Sequence, residues 1–204
     1  MTDRLKVGAE FCGWPTLEKI VNAATNKRDA FLILTLFKTG GRVSEVLQLT
    51  KSTFDFATSD KSIIIRQMIV GKKFERREGK TVKIEATRTI PILKKELLSD
   101  KYLELFNSRH HKLMFSGNHV GKAMTRDTAL KIVVKAGASA GIRVNAHWFR
   151  GQRASQLAEE YGFGVYELNQ FFGWGARNPR NMAERYASLG WRGLEQRMLR
   201  SGAL

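Results

Sequence analysis

The chain has a single cysteine, Cys12, and only three prolines, Pro15, Pro91 and Pro179, among its 204 residues. One cysteine excludes an intramolecular disulfide and argues for a reducing, intracellular setting. The prolines are scattered and mark no linker. No apolar run approaches the roughly 20 residues that a bilayer-spanning helix needs. The opening segment, with Arg4 and Lys6 in a short mixed stretch, lacks the pattern of a secretion signal. Acidic residues are scarce as well: 19 Asp and Glu stand against 35 Lys and Arg, a surplus of 16 positive charges. This balance favours a polyanionic partner, because each neutralised phosphate releases condensed counterions. Nucleic acid is the first candidate. An anionic membrane surface is the second, weakened by the missing span, and it predicts liposome binding that DNA does not compete away.

What is present reads as one mostly helical domain with no internal repeat. The spacing of Leu17, Ile20, Val21 and Ala24 predicts a helix from Thr16, with Thr16 as its N-cap. DAFLILTLFKT is apolar on nearly every side and is expected at the centre of the core. Gly40 and Gly41 end it, and a further helix is expected through RVSEVLQL. KSIIIRQMIV and TVKIEATRTIPI read as strands, with the basic stretch GKKFERREGK separating them as a charged hairpin. Helical periods return in LKKELLSDKYLELF, in TRDTALKIVVKAGA with Thr125 as cap, and in HWFRGQRASQLAEEY with Asn145 as cap. VYELNQFF, PRNMAERYASL and the amphipathic LEQRML complete the reading, an α+β chain that is mainly α with one small antiparallel sheet.

Three constellations carry the candidate chemistry. In TGGRVSEVLQL, Arg42 follows two glycines and Glu45, three residues on, faces the same side and can brace the guanidinium. A permanently charged, fork-shaped donor held this way suits a phosphate. A surface ion pair is the plainer account of those two residues taken alone. Reading the helices around Gly40 and Gly41 as a DNA-binding helix-turn-helix fails because the first is too apolar to lie on a duplex. In HWFRGQRASQ, His147 and Arg150 share a helical face, supplying a proton-exchanging group and a donor for non-bridging oxygens. In FFGWGARNPRNMAERYASLGW, Tyr186 lies on a helix after Gly173 and Trp174, with Arg180 and Arg185 near it in sequence. A phenol of pKa about 10 needs such cations to act as a nucleophile. A metal site is disfavoured, since His110, His111 and His119 have no Cys pair or carboxylate spacing to complete one.

Taken in order, TGGRVSE, then His147-x-x-Arg150, then Gly173-Trp174 and a tyrosine one helix further on resemble the catalytic domain of the tyrosine recombinase (phage integrase) family. The resemblance covers residues 14 to 191, leaving 1–13 as an N-terminal extension or linker remnant and 192–204 as an amphipathic tail. The stretch GWGARNPRNMAERYASL is most similar to integrases of archaeal viruses and plasmids. The resemblance implies a catalytic set of Arg42, His147, Arg150, Trp174 and the nucleophile Tyr186, supported by Glu45. It also implies a hairpin lysine. Counting back from Arg88 and TIPI puts this at Lys83, with Lys80, Lys73 and Lys72 as alternatives. Lys72, Lys73, Arg76, Arg77, Lys80 and Arg88 are expected to contact DNA phosphates, as are Arg192, Arg197 and Arg200 in the tail.

The implied reaction needs neither metal nor ATP nor any other cofactor: Tyr186 forms a 3'-phosphotyrosyl bond, and a 5'-hydroxyl later reverses the step. The implied partners are double-stranded DNA and further copies of the chain, a tetramer on DNA and a monomer when free, in the cytoplasm of a cell that hosts the element. Most relatives carry an additional N-terminal DNA-clamping domain. The residues before Trp14 are too few to form one, so weaker DNA affinity than a two-domain clamp is expected. Two rivals share the chemistry or the fold. A type IB topoisomerase uses a similar residue set, and a silent DNA-binding relative keeps the architecture without activity.

Overall fold

The structure is a computed structural model that describes residues 10–77, 80–117, 121–173 and 191–201, with the backbone alone over 70–86. The described elements are helices α1 (Trp14–Asn22), α2 (Lys27–Thr39), α3 (Val43–Val46), α4 (Ser99–Asn107), α5 (Arg126–Ser139), α6 (Ala146–Tyr161), α7 (Val165–Phe172) and α8 (Trp191–Arg200), with strands β1 (Phe54–Asp55), β2 (Ser62–Arg77) and β3 (Lys80–Leu93).

The central helix is α2. Asn26 caps it by accepting a hydrogen bond from the Asp29 backbone N–H at 3.0 Å. Every residue from Asp29 to Thr39 is buried, and α1, α3, α4, α5 and α6 all pack on it. So complete an enclosure explains why the segment is apolar around its whole circumference. Gly40 ends it in the left-handed region at φ 55°. A Cβ at that position would drive into the Phe172 ring, so glycine is required twice over, by backbone and by packing.

The caps expected at Thr125 and Asn145 accept from Thr128 N at 3.2 Å and Trp148 N at 2.9 Å. Thr16, by contrast, caps nothing. The first helix starts two residues earlier at Trp14, with Pro15 in its opening turn, where a missing N–H costs no hydrogen bond. The helix expected over LKKELLSDKYLELF begins only at Ser99, because Lys94 N continues the sheet ladder to Lys61 O at 2.8 Å and Leu98 turns the chain at φ 63°.

The sheet has the order β1-β2-β3, all antiparallel. The basic stretch does not separate two strands. It prolongs both of them, with pairing from Ser62↔Leu93 out to Arg77↔Lys80. Backbone pairing needs no apolar side chain, so the ladder runs on where periodicity stops signalling it. Register shifts between Ile65 and Met68 and between Ile69 and Gly71 each add one residue to β2. At the first bulge Gln67 takes φ 49°. Met68 thereby turns into the core opposite Arg88.

The tail helix α8 lies on its own domain. Leu194 and Met198 are buried, and the Glu195 carboxylate accepts from Ser59 Oγ at 2.5 Å. Arg197, expected to contact DNA, donates to Gly162 O at 3.1 Å. Beneath α2 and α6 a second polar cluster is sealed in: Glu96 accepts from Lys38 Nζ at 2.6 Å, Arg153 at 2.5 Å and Tyr161 Oη at 2.9 Å.

Candidate active site

Two glycine-capped helix ends build the site. The last carbonyls of α2 (Thr39 and Gly40) and of α7 (Phe171 and Phe172) converge, and the negative ends of both helix dipoles converge with them. Two arginines answer them. Arg150, on α6, donates to Gly40 O at 2.5 Å and Phe172 O at 3.1 Å and stacks on the Phe172 ring at 4.8 Å. Arg88, on β3, donates to Phe171 O and, at 3.3 Å, to Thr39 O.

Arg42 sits one residue beyond the glycine pair as the N-cap of α3. The α3 helix is a single turn, so Arg42 flanks it where the sequence led us to expect it inside. The expected partnership with Glu45 is present in a tighter form. The carboxylate accepts from the Arg42 guanidinium at 2.6 Å and from the Arg42 backbone N–H at 2.9 Å. Glu45 is buried, whereas the Arg42 side chain is 54 % exposed. One end of this ion pair is fixed in the core and the other is presented to solvent.

Arg42, His147 and Arg150 line one concave pocket of about 480 Å³, together with Ser44, Arg126 and Asn145. Burial depresses the Arg150 guanidinium to about 10, partly offset by Glu45 and reinforced by Arg42. It depresses Arg88 to about 9, where Glu45 again offsets while Arg150 and Arg42 reinforce. Arg150 and Arg88 therefore stay protonated at neutral pH, and with Arg42 they surround one carboxylate, Glu45. The local excess of positive charge is what a phosphodiester would relieve.

Two residues were misplaced or missed by sequence reasoning. Arg88, expected on a DNA phosphate, is 8 % exposed, and its terminal nitrogens are engaged inside the protein. The signal was available, since Arg88 has the same strand parity as the fully buried Ile90 and Ile92. Arg126 was not singled out. It opens α5, where the helix dipole favours an acidic residue, so a cation there is itself a hint of an anionic neighbour.

Trp174 and Tyr186 lie outside the described residues, and for Lys72, Lys73, Arg76, Arg77, Lys80 and Lys83 the backbone register alone is described. Lys83 pairs with Phe74, next to the Lys73↔Ile84 pair, and Lys80 pairs with Arg77 nearer the tip. Arg88 lies five residue steps beyond Lys83, roughly 16 Å along a strand. Two register shifts in β2, between Ile65 and Met68 and between Ile69 and Gly71, lie between the pocket end of the hairpin and Lys83 in the ladder. Among the described residues no three His, Cys, Asp or Glu side chains cluster to hold a metal, and no helix is long and apolar enough to cross a membrane.

The sequence model of the phage integrase family matches residues 15–189. This chain belongs to the phage integrase family. The integrase from mycobacterium phage Brujita has a similar structure, with a TM-score of 0.61 at 16% identity over 92% of this integrase-family chain and 54% of that one. XerA recombinase gives 0.56 at 20% over 95% and 65%. XerH site-specific recombinase, solved bound to difH substrate as a pre-cleavage complex, gives 0.56 at 20% over 91% and 53%. At these identities the likeness is one of fold, and the chain spans between about half and two thirds of the length of these structures. No curated protein sequence matches significantly.

Proposed function

We propose that residues 14–191 form the catalytic domain of a site-specific recombinase that cleaves and rejoins double-stranded DNA in the integration or excision of a mobile element. The observation that carries this reading is the meeting of Arg42, His147 and Arg150 in one pocket, from segments more than 100 residues apart, in a chain of net charge +16. Membership of the phage integrase family supports it, and so does the fold shared with recombinases.

In the proposed reaction the Tyr186 oxygen attacks a backbone phosphorus in line. The phosphorus–O5' bond breaks as the phosphotyrosyl bond forms, leaving a 3'-phosphotyrosine and a free 5'-hydroxyl. Arg42 and Arg150 bind the non-bridging oxygens, where charge grows in the transition state. His147 hydrogen-bonds at the same phosphate and exchanges the phenol proton, Lys83 protonates the leaving 5'-oxygen, and Trp174 walls the pocket. Glu45 aims Arg42 from within the core. The phosphodiester energy is kept in the covalent bond, so a 5'-hydroxyl from another duplex completes strand exchange with no cofactor. The protein works on DNA in the cytoplasm, as a tetramer assembled on its sites and a monomer when free.

Incubation with a nicked suicide substrate, without metal, tests the reading. A covalent adduct should form on the peptide containing Tyr186, and Tyr186→Phe should abolish it while DNA binding persists. An adduct that survives the substitution, or none from the parent protein, refutes the assignment. Relaxation of supercoils without exchange between two sites would convert the reading to a topoisomerase.

A further inference from the structure

The pairing of Arg88 with Arg150 has no counterpart in the catalytic roles above. Each guanidinium bridges the same two helix ends, one residue apart in both: Arg88 takes Thr39 O and Phe171 O, and Arg150 takes Gly40 O and Phe172 O. Arg88 also reaches Glu45 Oε2 at 3.5 Å, the carboxylate whose other oxygen holds Arg42 at 2.6 Å. Five elements thus meet at one side chain: β3, which carries Arg88 itself, the ends of α2 and α7, α3 through Glu45, and β2 through Met68 Sδ at 3.7 Å.

We propose that Arg88 is a positioning residue for the reaction. By locking the last carbonyls of α2 and α7 in register and bracing Glu45, it fixes Arg42 relative to Arg150 and the end of α7. This inference rests on the recombinase reading of the preceding subsection.

A planar fork is required for this task. One guanidinium can donate to two carbonyls and a carboxylate at once, whereas a lysine offers a single nitrogen centre. Its burial is costly, since desolvation is what depresses it, and buried ion pairs can commonly be exchanged for apolar residues without loss of stability. Stability alone therefore does not single out this arrangement of cation and carboxylate, although removing Arg88 by itself leaves Glu45 and two carbonyls short of a donor. A requirement for relative position does. Arg150 cannot substitute for it, because Arg150 lines the pocket and its own bonds go to the neighbouring carbonyls.

Single-turnover adduct formation on the nicked substrate, at saturating DNA, separates the roles. Arg88→Lys keeps the buried charge, and Arg88→Met fills the volume. For each variant the folded fraction is read from the amplitude of the reaction and from circular dichroism, and the catalytic effect from the rate constant. Positioning predicts a rate constant lowered at least tenfold in Arg88→Lys and more in Arg88→Met, with DNA affinity within about threefold. Adding Glu45→Gln to Arg88→Met should cost less than the product of the two single effects, because both act on Arg42. A rate constant equal to that of the parent in Arg88→Lys, with or without a reduced amplitude, overturns the proposal and leaves Arg88 a structural residue. If the parent protein forms no adduct, the recombinase reading has failed instead.

Discussion

Two buried carboxylates in this chain each sit between two cations, and they differ in one respect. Glu96 joins Lys38 and Arg153, all three within 1 % exposure at the side chain. Glu45 joins Arg88 and Arg42, with the Arg42 side chain 54 % exposed. The clusters are near neighbours in sequence, since Lys38 in the last turn of α2 precedes Arg42, the N-cap of α3, and Arg150 at the pocket precedes Arg153 on α6. The closed cluster satisfies its charges internally and cross-links α2, α6 and the turn after β3. The open one leaves a braced guanidinium facing a pocket. The same ion-pair chemistry yields a structural tie when sealed and a candidate phosphate site when one end is left to solvent.

The largest effect that tests this contrast is expected at the closed cluster. Glu96→Gln leaves Lys38 and Arg153 buried without their counter-charge, and removing one partner of a buried pair costs about 3–5 kcal/mol. Urea unfolding of the variant should show that loss as a lower midpoint. A midpoint shifted by less than the equivalent of about 1 kcal/mol would mean that the sealed cluster is not the tie described.

At the open cluster the effects should trade places. Arg42→Ala removes an exposed guanidinium, so stability should change by about 1 kcal/mol or less. The rate of adduct formation should fall roughly 100- to 1000-fold, about 2.7–4 kcal/mol of transition-state stabilisation. Single-turnover rates and unfolding midpoints measured on the same preparation decide it. A variant that loses stability and keeps its rate would invert the comparison.

How much of this was legible beforehand depends on the range of the interactions. Local signals worked: the Asn145 and Thr125 caps, the Gly40 terminus and the Arg42–Glu45 pair are all set within four residues. The order of the Arg, His-x-x-Arg and Tyr motifs carried the family. Strand extent failed through KKFERR, because backbone ladders continue without an apolar pattern. At Arg88 the charge points outward to DNA and the parity of TRTIPI points inward, and the parity decides. The Glu96 cluster has no sequence signature, since Lys38, Glu96 and Arg153 are brought together only by tertiary packing, and the period of LKKELLSDKYLELF places Glu96 in a helix. Which hairpin lysine serves the pocket depends on how far the strand bends, and a linear count from Arg88 does not contain that.

The smallest expected effect sharpens the contrast through pH. Burial alone would raise the Glu96 carboxyl, but Arg153 and Lys38 outweigh it and hold it down to about 2 against an ordinary 4.5. The stability from this ionised carboxylate is therefore complete above about pH 4.5 and is lost as pH falls through about 2. Lys38 adds no alkaline counterpart. Burial lowers it to about 8 from 10.5, so between those values the unfolded chain holds more protons and stability rises with pH. Unfolding free energies should stay level for this one group from pH 6 to about 4.5 and then fall toward pH 2.5 with a slope approaching about 1.4 kcal/mol per pH unit. Glu96→Gln should lack that component, whereas Arg42→Ala should retain it. An identical acid slope in all three proteins would assign the loss to other carboxylates and remove the sealed cluster from the account of acid unfolding.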